Sequence, residues 1–422
     1  MFKLGIRIFD EKMSALPAKS TLLFISSPGI DPAPFGISTM SNVVKERSRA
    51  VYMVNNKTPA SIRREAELLG HDLQSYEDEG TFRLVDSYSG FSGMPSEEKY
   101  LVRDPSDIGM VKQTLDTAVE DGSVVLLDSM SSYMDMHGDG LEDFLGLVGE
   151  LKKKASVMVL FSTWGYEPDC VKRIKSEFET VLSLRPVEEI SIVRQLLFAE
   201  KIGSASFEGM AVPVKVLRPG GVRVYFPKVL ITGPHQSGKS TMVKAISNSA
   251  VSVDSMGTTV AMDHGYLDHK GFACDIYGTP GQELFDPILY YLAEEAVAVI
   301  LVIDAAAVES FKRARTMMQL TNALDVPLIV AANHYDKEGA LPLERIREQL
   351  RLPPNIPIVP TVATEKKGIP ELLDALIEKL MGVALAEARK EEGGGGPASG
   401  DDGEPGVKGS GDGSGNREVG GQ

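Results

Sequence analysis

Short runs of consecutive apolar residues recur along the chain, each bounded by turn formers and followed by a stretch with helical spacing. In the first half "STLLFISS", "AVYMVNN", "TFRLVDSY", "GSVVLLDSM" and "SVMVLFSTW" read as strands, with "SIRREAELLG", "DIGMVKQTLDTAVED" and "LEDFLGLVGELKKK" as the helices between them. The rhythm repeats in "KVLITG", "GFACDIYG", "AVAVILVID", "VPLIVAANH" and "IPIVPTVA", with helices at "STMVKAISNS", "SFKRARTMMQLTNAL", "LERIREQL" and "IPELLDALIEKLMGVALAEA". Strands that are apolar throughout are buried on both faces, so the pattern predicts mostly parallel sheets covered by helices. Two tandem α/β domains follow, residues 1–226 and 227–387, joined at "LRPGGVRVYFPK".

After that the pattern stops. The segment 388–422 is Gly-rich and acidic, with Val407 and Val419 its only sizeable apolar side chains from Glu391 onward. It buries too little surface to offset its ordering entropy and reads as a disordered tether.

Composition narrows the function. The net charge of −15, of which about −5 lies in the tail, argues against a general nucleic-acid binder. No apolar run is long enough to span a bilayer, and the first residues lack a signal-peptide pattern, so a cytoplasmic protein is expected. Cys170 and Cys274 fall in different domains without zinc-like spacing and are expected to be reduced, packed thiols. "DMHGDG" and "DHGYLDH" read as polar loops, and the basic residues of "FKRARTMMQL" as a solvated helix face.

The most informative stretch is "ITGPHQSGKST", which fits G-x-x-x-x-G-K-[ST] at Gly233, Gly238, Lys239 and Ser240, after a strand and before a helix. Its backbone N–H groups suit phosphate oxygens, Lys239 suits the β- and γ-phosphates, and the Ser240 hydroxyl suits Mg²⁺. Ser237 and Thr241 complete the expected nucleotide-binding set. Further on, "VAANHYDKEG" places Asn333 and Asp336 just after a strand. A carboxylate there can accept from both the ring N–H and the exocyclic amine of guanine, a donor pair adenine lacks. Ala363, in "TVATEKK", is a candidate to offer its N–H to the base oxygen. In "DIYGTPGQELF", Gly281 is expected to bond the γ-phosphate and Gln282 to position the attacking water. Asp275, in the same stretch, is a candidate Mg²⁺ ligand with a purely structural role equally open. Thr258 and Thr259 are candidates to reach Mg²⁺. No arginine stands near them in the chain, so slow unaided hydrolysis is expected.

These motifs together make Lys228 to about Met381 resemble the Ras-like small GTPases, most of all the MglA-like prokaryotic branch and its relatives similar to the signal-recognition-particle receptor β subunit. The pattern "TTVAMDHG…YGTPGQELF" carries that resemblance, including the absence of the usual Asp, whose place is taken by Gly278. The departures are His334, where that family writes lysine, and the missing S-A-K triplet near Ala363. The resemblance implies a GTP/GDP switch that answers to a partner such as a Roadblock-type protein.

The first domain carries a second resemblance. "FKLGIRIFDEKMSALPAKSTLLFISSPG", "VYMVNNKTPASIRREAELLGHDLQSYEDEGTFRLVDSYSG", "VVLLDSMSSYMDMHGDG" and "VPVKVLRPGGVRV" resemble, in order, KaiC-type RecA-like ATPases. The family's phosphate loop is replaced here by "SSPGIDPAPFGISTM". It has no lysine, Asp31 repels a phosphate, and Pro32 and Pro34 lack N–H donors. Asp128 then reads as a turn or cap residue. The expectation is a pseudo-ATPase scaffold fused to a slow GTPase. The alternatives are a nucleotide-holding scaffold with negligible turnover, or an ATPase if His334 relaxes guanine selectivity.

Overall fold

The computed structural model describes residues 3–14, 17–137, 140–189, 192–203, 205–252, 263–293 and 296–393. Thr258, Thr259 and the tail from residue 394 lie outside them. In the first half, β1 (Thr21–Ser26), β2 (Ala50–Val54), β3 (Phe82–Asp86), β4 (Tyr100–Leu101), β5 (Val124–Asp128) and β6 (Ser156–Ser162) run parallel in the order β1-β6-β5-β2-β3-β4. Every residue of β1, β2 and β5 is buried, as their uninterrupted apolar runs require. On the other side of β1 stands β7 (Thr180–Glu189), followed by the antiparallel strands β8 (Ile192–Ile202), β9 (Ala205–Leu217) and β10 (Gly221–Thr232).

Strand β10 is where the two halves meet. Its first residues, Gly221–Val224, pair with β9. A register shift between Phe226 and Val229 spans Pro227, which has no N–H to give a ladder. Beyond it, Val229–Thr232 pair with β14 (Ala298–Asp304). The opposite edge of β10 pairs with β13 (Phe272–Gly278) on both sides of the bulge. The boundary read at 226/227 thus falls inside one strand, and the sixteen strands among the described residues form a single sheet. Its remaining members are β11 (Ser249–Ser252) and β12 (Asp263–His269) beyond β13, and β15 (Leu328–Asn333) and β16 (Ile358–Pro360) beyond β14.

Packing follows the same continuity. One face of the sheet carries a core that runs from Phe35 and Met40, through Val224, Phe226 and Leu267, to Leu372, Leu376 and Leu380. The last three belong to the helix Ile369–Gly393, which lies against β9 of the first half and extends into the stretch read as tail. The opposite face has separate cores under the two halves. The segment "DHGYLDH" is corrected here from loop to strand: it forms β12, in which only Gly265 and Leu267 are buried. Both cysteines are free thiols, Cys274 buried and Cys170 half-buried.

Candidate functional site

The phosphate loop 233–238 sits at the carboxyl end of β10. The chain from there goes first to one side of that strand and then, at β14, to the other, the crevice position in which open α/β sheets hold ligands. Gly238 has φ +92°, and a Cβ on it would lie 2.3 Å from Asn333 Nδ2, so glycine alone is accepted. The helix Lys239–Ile246 then starts without a side-chain cap on its first N–H groups. Ser237 Oγ is buried at the loop with no hydrogen-bond partner, an unmet polar group in a cradle of glycine and helix N-terminus. Lys239 is buried and donates to the Pro234 carbonyl at 2.7 Å. Burial pushes its ammonium down to about 8, against the pull of Asp263 and with the help of Arg313. Ser240 is exposed and Thr241 half-buried on the first turn.

The 281 segment lies directly on this loop. A Cβ at Gly281 would stand 2.6 Å from both His235 N and Lys239 Nζ. Gln282 follows in an extended, exposed conformation. Arg313, from the helix Phe311–Leu320, donates to both carboxylate oxygens of Asp286 and, at 3.4 Å, to the Gly281 carbonyl. This corrects the reading of "FKRARTMMQL": Arg313 turns inward, and an arginine does stand beside the site, engaged by Asp286. Leu284, two residues after Gln282, is 81% exposed, and Tyr290 and Tyr291 on the helix Asp286–Ala293 that follows are exposed too.

The two residues of N-x-x-D do different work. Asn333 is 1% exposed. Its amide donates to the Ser237 carbonyl at 3.0 Å, and its oxygen accepts from Ala363 N at 3.0 Å and Thr361 Oγ1 at 3.4 Å. It stitches the phosphate loop to the loop after β16, and the Ala363 N–H is taken up in that stitch. Asp336 is exposed. Between them His334, with φ +55°, bonds Asp304 through Nδ1 at 2.8 Å, and Lys337 reaches the same carboxylate at 2.9 Å. The His334 Nε2 lies 3.6 Å from where a Gly238 Cβ would be, so the imidazole covers the loop.

Asp275 is not brought to Ser240. It accepts from Tyr225 Oη at 2.5 Å and lies 3.5 Å from His264 Nε2. Strand alternation sets it on the face opposite Gly278, whose Cβ position meets Val243 of the helix after the loop. What does stand at Gly278 is Asp263, directly across the β12–β13 ladder. No local motif pointed to it; the polar start of "DHGYLDH" was the available signal. Ser240, Asp263 and the unpartnered Ser237 are a donor set of the kind Mg²⁺-nucleotide binding asks for: oxygen ligands with few protein carboxylates. Among the described residues no group of three or more His, Cys, Asp or Glu is arranged to hold a metal by itself.

In the equivalent loop of the first half, Gly29, Ile30, Asp31 and Pro34 line a cavity of about 600 Å³, and a carboxylate of the loop engages the following helix. Asp31 accepts from Ala33 N at 2.9 Å, at the start of the helix Ala33–Lys45, and pairs with Lys57 at 3.1 Å. An internal carboxylate thus occupies the position at a helix N-terminus where a phosphate would bind. Asp128, at the end of β5, is fully buried and accepts from Tyr52 Oη at 2.7 Å and Asn56 Nδ2 at 2.8 Å. Burial raises its carboxyl above the usual range despite these donors. It is a buried hydrogen-bond hub, not the turn or cap residue expected.

An α/β sheet with one intact and one degenerate phosphate loop, each following a strand and opening a helix, defines a P-loop protein of tandem type. The chain belongs to the KaiC ATPase family: the family model described as "ATPase: KaiC" matches residues 2–228, and the ADP-ribosylation factor family model matches residues 223–380, so a KaiC-like domain is followed by an Arf/Ras-like one. Among curated proteins it is similar to a UPF0273 protein of Aeropyrum pernix, 28% identical over 134 residues, which are 31% of this chain and 54% of that protein. A UPF0273 protein of Methanopyrus kandleri is 29% identical over 138 residues, with the same shares. The chain spans about half the length of these curated relatives. Similar solved structures include a KaiC-like protein of Pyrococcus horikoshii (TM-score 0.42, 18% identity, 53% of this chain and 97% of that one). The flagellar accessory protein FlaH of Methanocaldococcus jannaschii is another (TM-score 0.42, 11% identity, 51% and 94%). No helix among the described residues is long and apolar enough to cross a membrane.

Proposed function

We propose that this protein is a guanine-nucleotide switch of the cytoplasm. Its second domain binds GTP and GDP with Mg²⁺ and hydrolyses GTP slowly, and its first domain is a nucleotide-incompetent platform that docks a partner. The contrast between the two phosphate loops carries the reading: one presents buried Lys239 and the unpartnered Ser237 Oγ, the other holds Asp31 against its own helix and Lys57. In the second domain Lys239 neutralises phosphate charge, Gly281 N–H bonds the γ-phosphate and Gln282 orients the attacking water. Asp336 reads the guanine edge, and His334 takes the covering role over the loop that a lysine stem fills elsewhere. Bound Mg²⁺ offsets the charge on the phosphate oxygens, with Ser240 among its holders; Thr258 and Thr259 remain candidates. Exposed Leu284, Tyr290 and Tyr291, in the segment and helix that follow Gln282, suit an apolar partner surface, such as a Roadblock-type or other regulatory protein.

Calorimetric titration of the full chain with GDP, a GTP analogue, ADP and an ATP analogue, each with Mg²⁺, tests this. One guanine site and no adenine site is the expected result; an adenine site that survives Lys239→Ala would restore the first domain as an ATPase. Asp336→Asn should shift selectivity from guanine toward xanthine, and unchanged GTP affinity in that variant would sink the base assignment. A second reading, a nucleotide-holding scaffold, is favoured by one observation: Arg313 is bound to Asp286 and so is not directed at a transferring phosphoryl group. Single-turnover assay of prebound GTP separates the two, since a scaffold releases no phosphate.

A further inference from the structure

We infer that Arg313 is a positioning residue for GTP hydrolysis: its guanidinium grips both ends of the segment that carries Gln282. The inference rests on the guanine-nucleotide reading above and deepens it. Arg313 stands on the first turn of the helix Phe311–Leu320, whose Phe311, Ala314 and Met318 are buried in the core under the second half, so its base is fixed. From there its two terminal nitrogens donate to the two carboxylate oxygens of Asp286, the residue that opens the helix Asp286–Ala293. Its Nε donates to the Gly281 carbonyl at 3.4 Å. Between these anchors lie only Gln282 and the 3₁₀ turn Glu283–Phe285, so one side chain restricts the backbone freedom of the whole stretch. The near anchor is already seated, because Gly281 packs on His235 N and Lys239 Nζ of the phosphate loop. The side chains of Arg313 and Asp286 are 14% and 29% exposed, so salt screens the pair little. A guanidinium fork matches a carboxylate with two bonds and keeps Nε for a second acceptor, which a lysine cannot do. The Arg313 charge reaches Lys239, where it adds to the lowering that burial imposes on the ammonium. Its directed bonds nevertheless go to Asp286 and Gly281, so Arg313 acts on the reaction through the segment it holds and not on the phosphoryl group.

The test is single-turnover hydrolysis of GTP prebound to the full chain, set beside its affinity for a fluorescent GDP. Arg313→Ala should slow hydrolysis about 10- to 100-fold, the size expected when a reacting group is misplaced by about 1 Å, with GDP affinity close to that of the wild type. Arg313→Lys keeps the charge but cannot hold both anchors, and should recover only part of the rate. Asp286→Ala should lose as much as Arg313→Ala, and the double variant no more than either alone, because each removes the same clamp. An unchanged rate in Arg313→Ala overturns the proposal. So does a wild-type or faster rate in Asp286→Ala beside a slow Arg313→Ala, since the arginine would then act on the phosphoryl group itself. A GDP affinity that falls in step with the rate also overturns it, because that reports a damaged nucleotide site and not a displaced segment. A wild-type chain that binds GTP and releases no phosphate removes the hydrolytic reading, and this proposal with it, before any variant is compared.

Discussion

Asn333→Ala should separate the two residues of the N-x-x-D motif. The amide is 1% exposed and holds three partners: the Ser237 carbonyl, the Ala363 N–H and, more weakly, the Thr361 hydroxyl. Alanine takes this partner from two buried backbone groups, the Ser237 carbonyl and the Ala363 N–H. Each such group costs about 1–3 kcal/mol, so the variant should be destabilised by about 2–6 kcal/mol before any nucleotide is added. A loss of that size lowers the thermal midpoint by several degrees in nucleotide-free protein. GDP affinity should fall too, because the loop that carries Ser237 is no longer tied to the loop that carries Ala363. Asp336→Ala, at an exposed position, should weaken guanine binding and leave the nucleotide-free midpoint where it was. Differential scanning fluorimetry without ligand, beside fluorescent-GDP titration, reads both quantities. If Asn333→Ala melts with the wild type and loses only affinity, Asn333 acts on the nucleotide and the stitch described here is not what holds the loop.

Gly281→Ala brings a methyl to 2.6 Å from His235 N, a backbone atom that cannot step aside, so the 281 segment should lift from the loop at a cost of about 1–3 kcal/mol. A GTP analogue should bind roughly 5- to 100-fold more weakly while GDP changes less; equal effects on both would contradict the contact with the γ-phosphate. Acid stability should report two opposed groups near the join. His71, buried beside Ser38 and held down to about 4 by burial and by the charges of Lys45 and Arg223, binds fewer protons folded than unfolded. Its contribution is therefore present above about pH 6.5 and lost as the pH falls toward 4, on the order of 2–3 kcal/mol. Asp10, raised to about 6 by burial, has the opposite sign: the folded form binds more protons between about 6 and the ordinary carboxylate value, and stability rises as pH falls through that window. In urea melts between pH 7 and 4.5, Asp10→Asn should expose the fall due to His71; parallel profiles for variant and wild type would refute the pairing.

The parallel strands were legible because burial on both faces demands unbroken apolar runs, and β1, β2 and β5 have them. β12 was not, since its residues are mostly half-exposed and its sequence is "DHGYLDH". The phosphate loop could be read because its residues are adjacent in the chain and their chemistry is local. Asp263 and Arg313 could not, because one enters through strand register and the other from a helix that follows the next strand. Asn333 and Ala363 were found as motif positions, yet their hydrogen bonds to one another depend on how two loops meet.

Strand β10 also bears on how the halves can move. Domains joined by a flexible segment reorient because the segment absorbs the change in backbone angles. Here the connection is a hydrogen-bonded strand with neighbours on both edges, its pairing with β13 shifted in register at Pro227, and the helix Ile369–Gly393 lies against the adjoining β9. A swing of one half against the other would have to break ladder bonds. β13, paired with β10 on both sides of Pro227, leads directly to Gly281 and Gln282. A protease cut or a cloning boundary at residue 227 would therefore sever the one strand whose pairing both halves share.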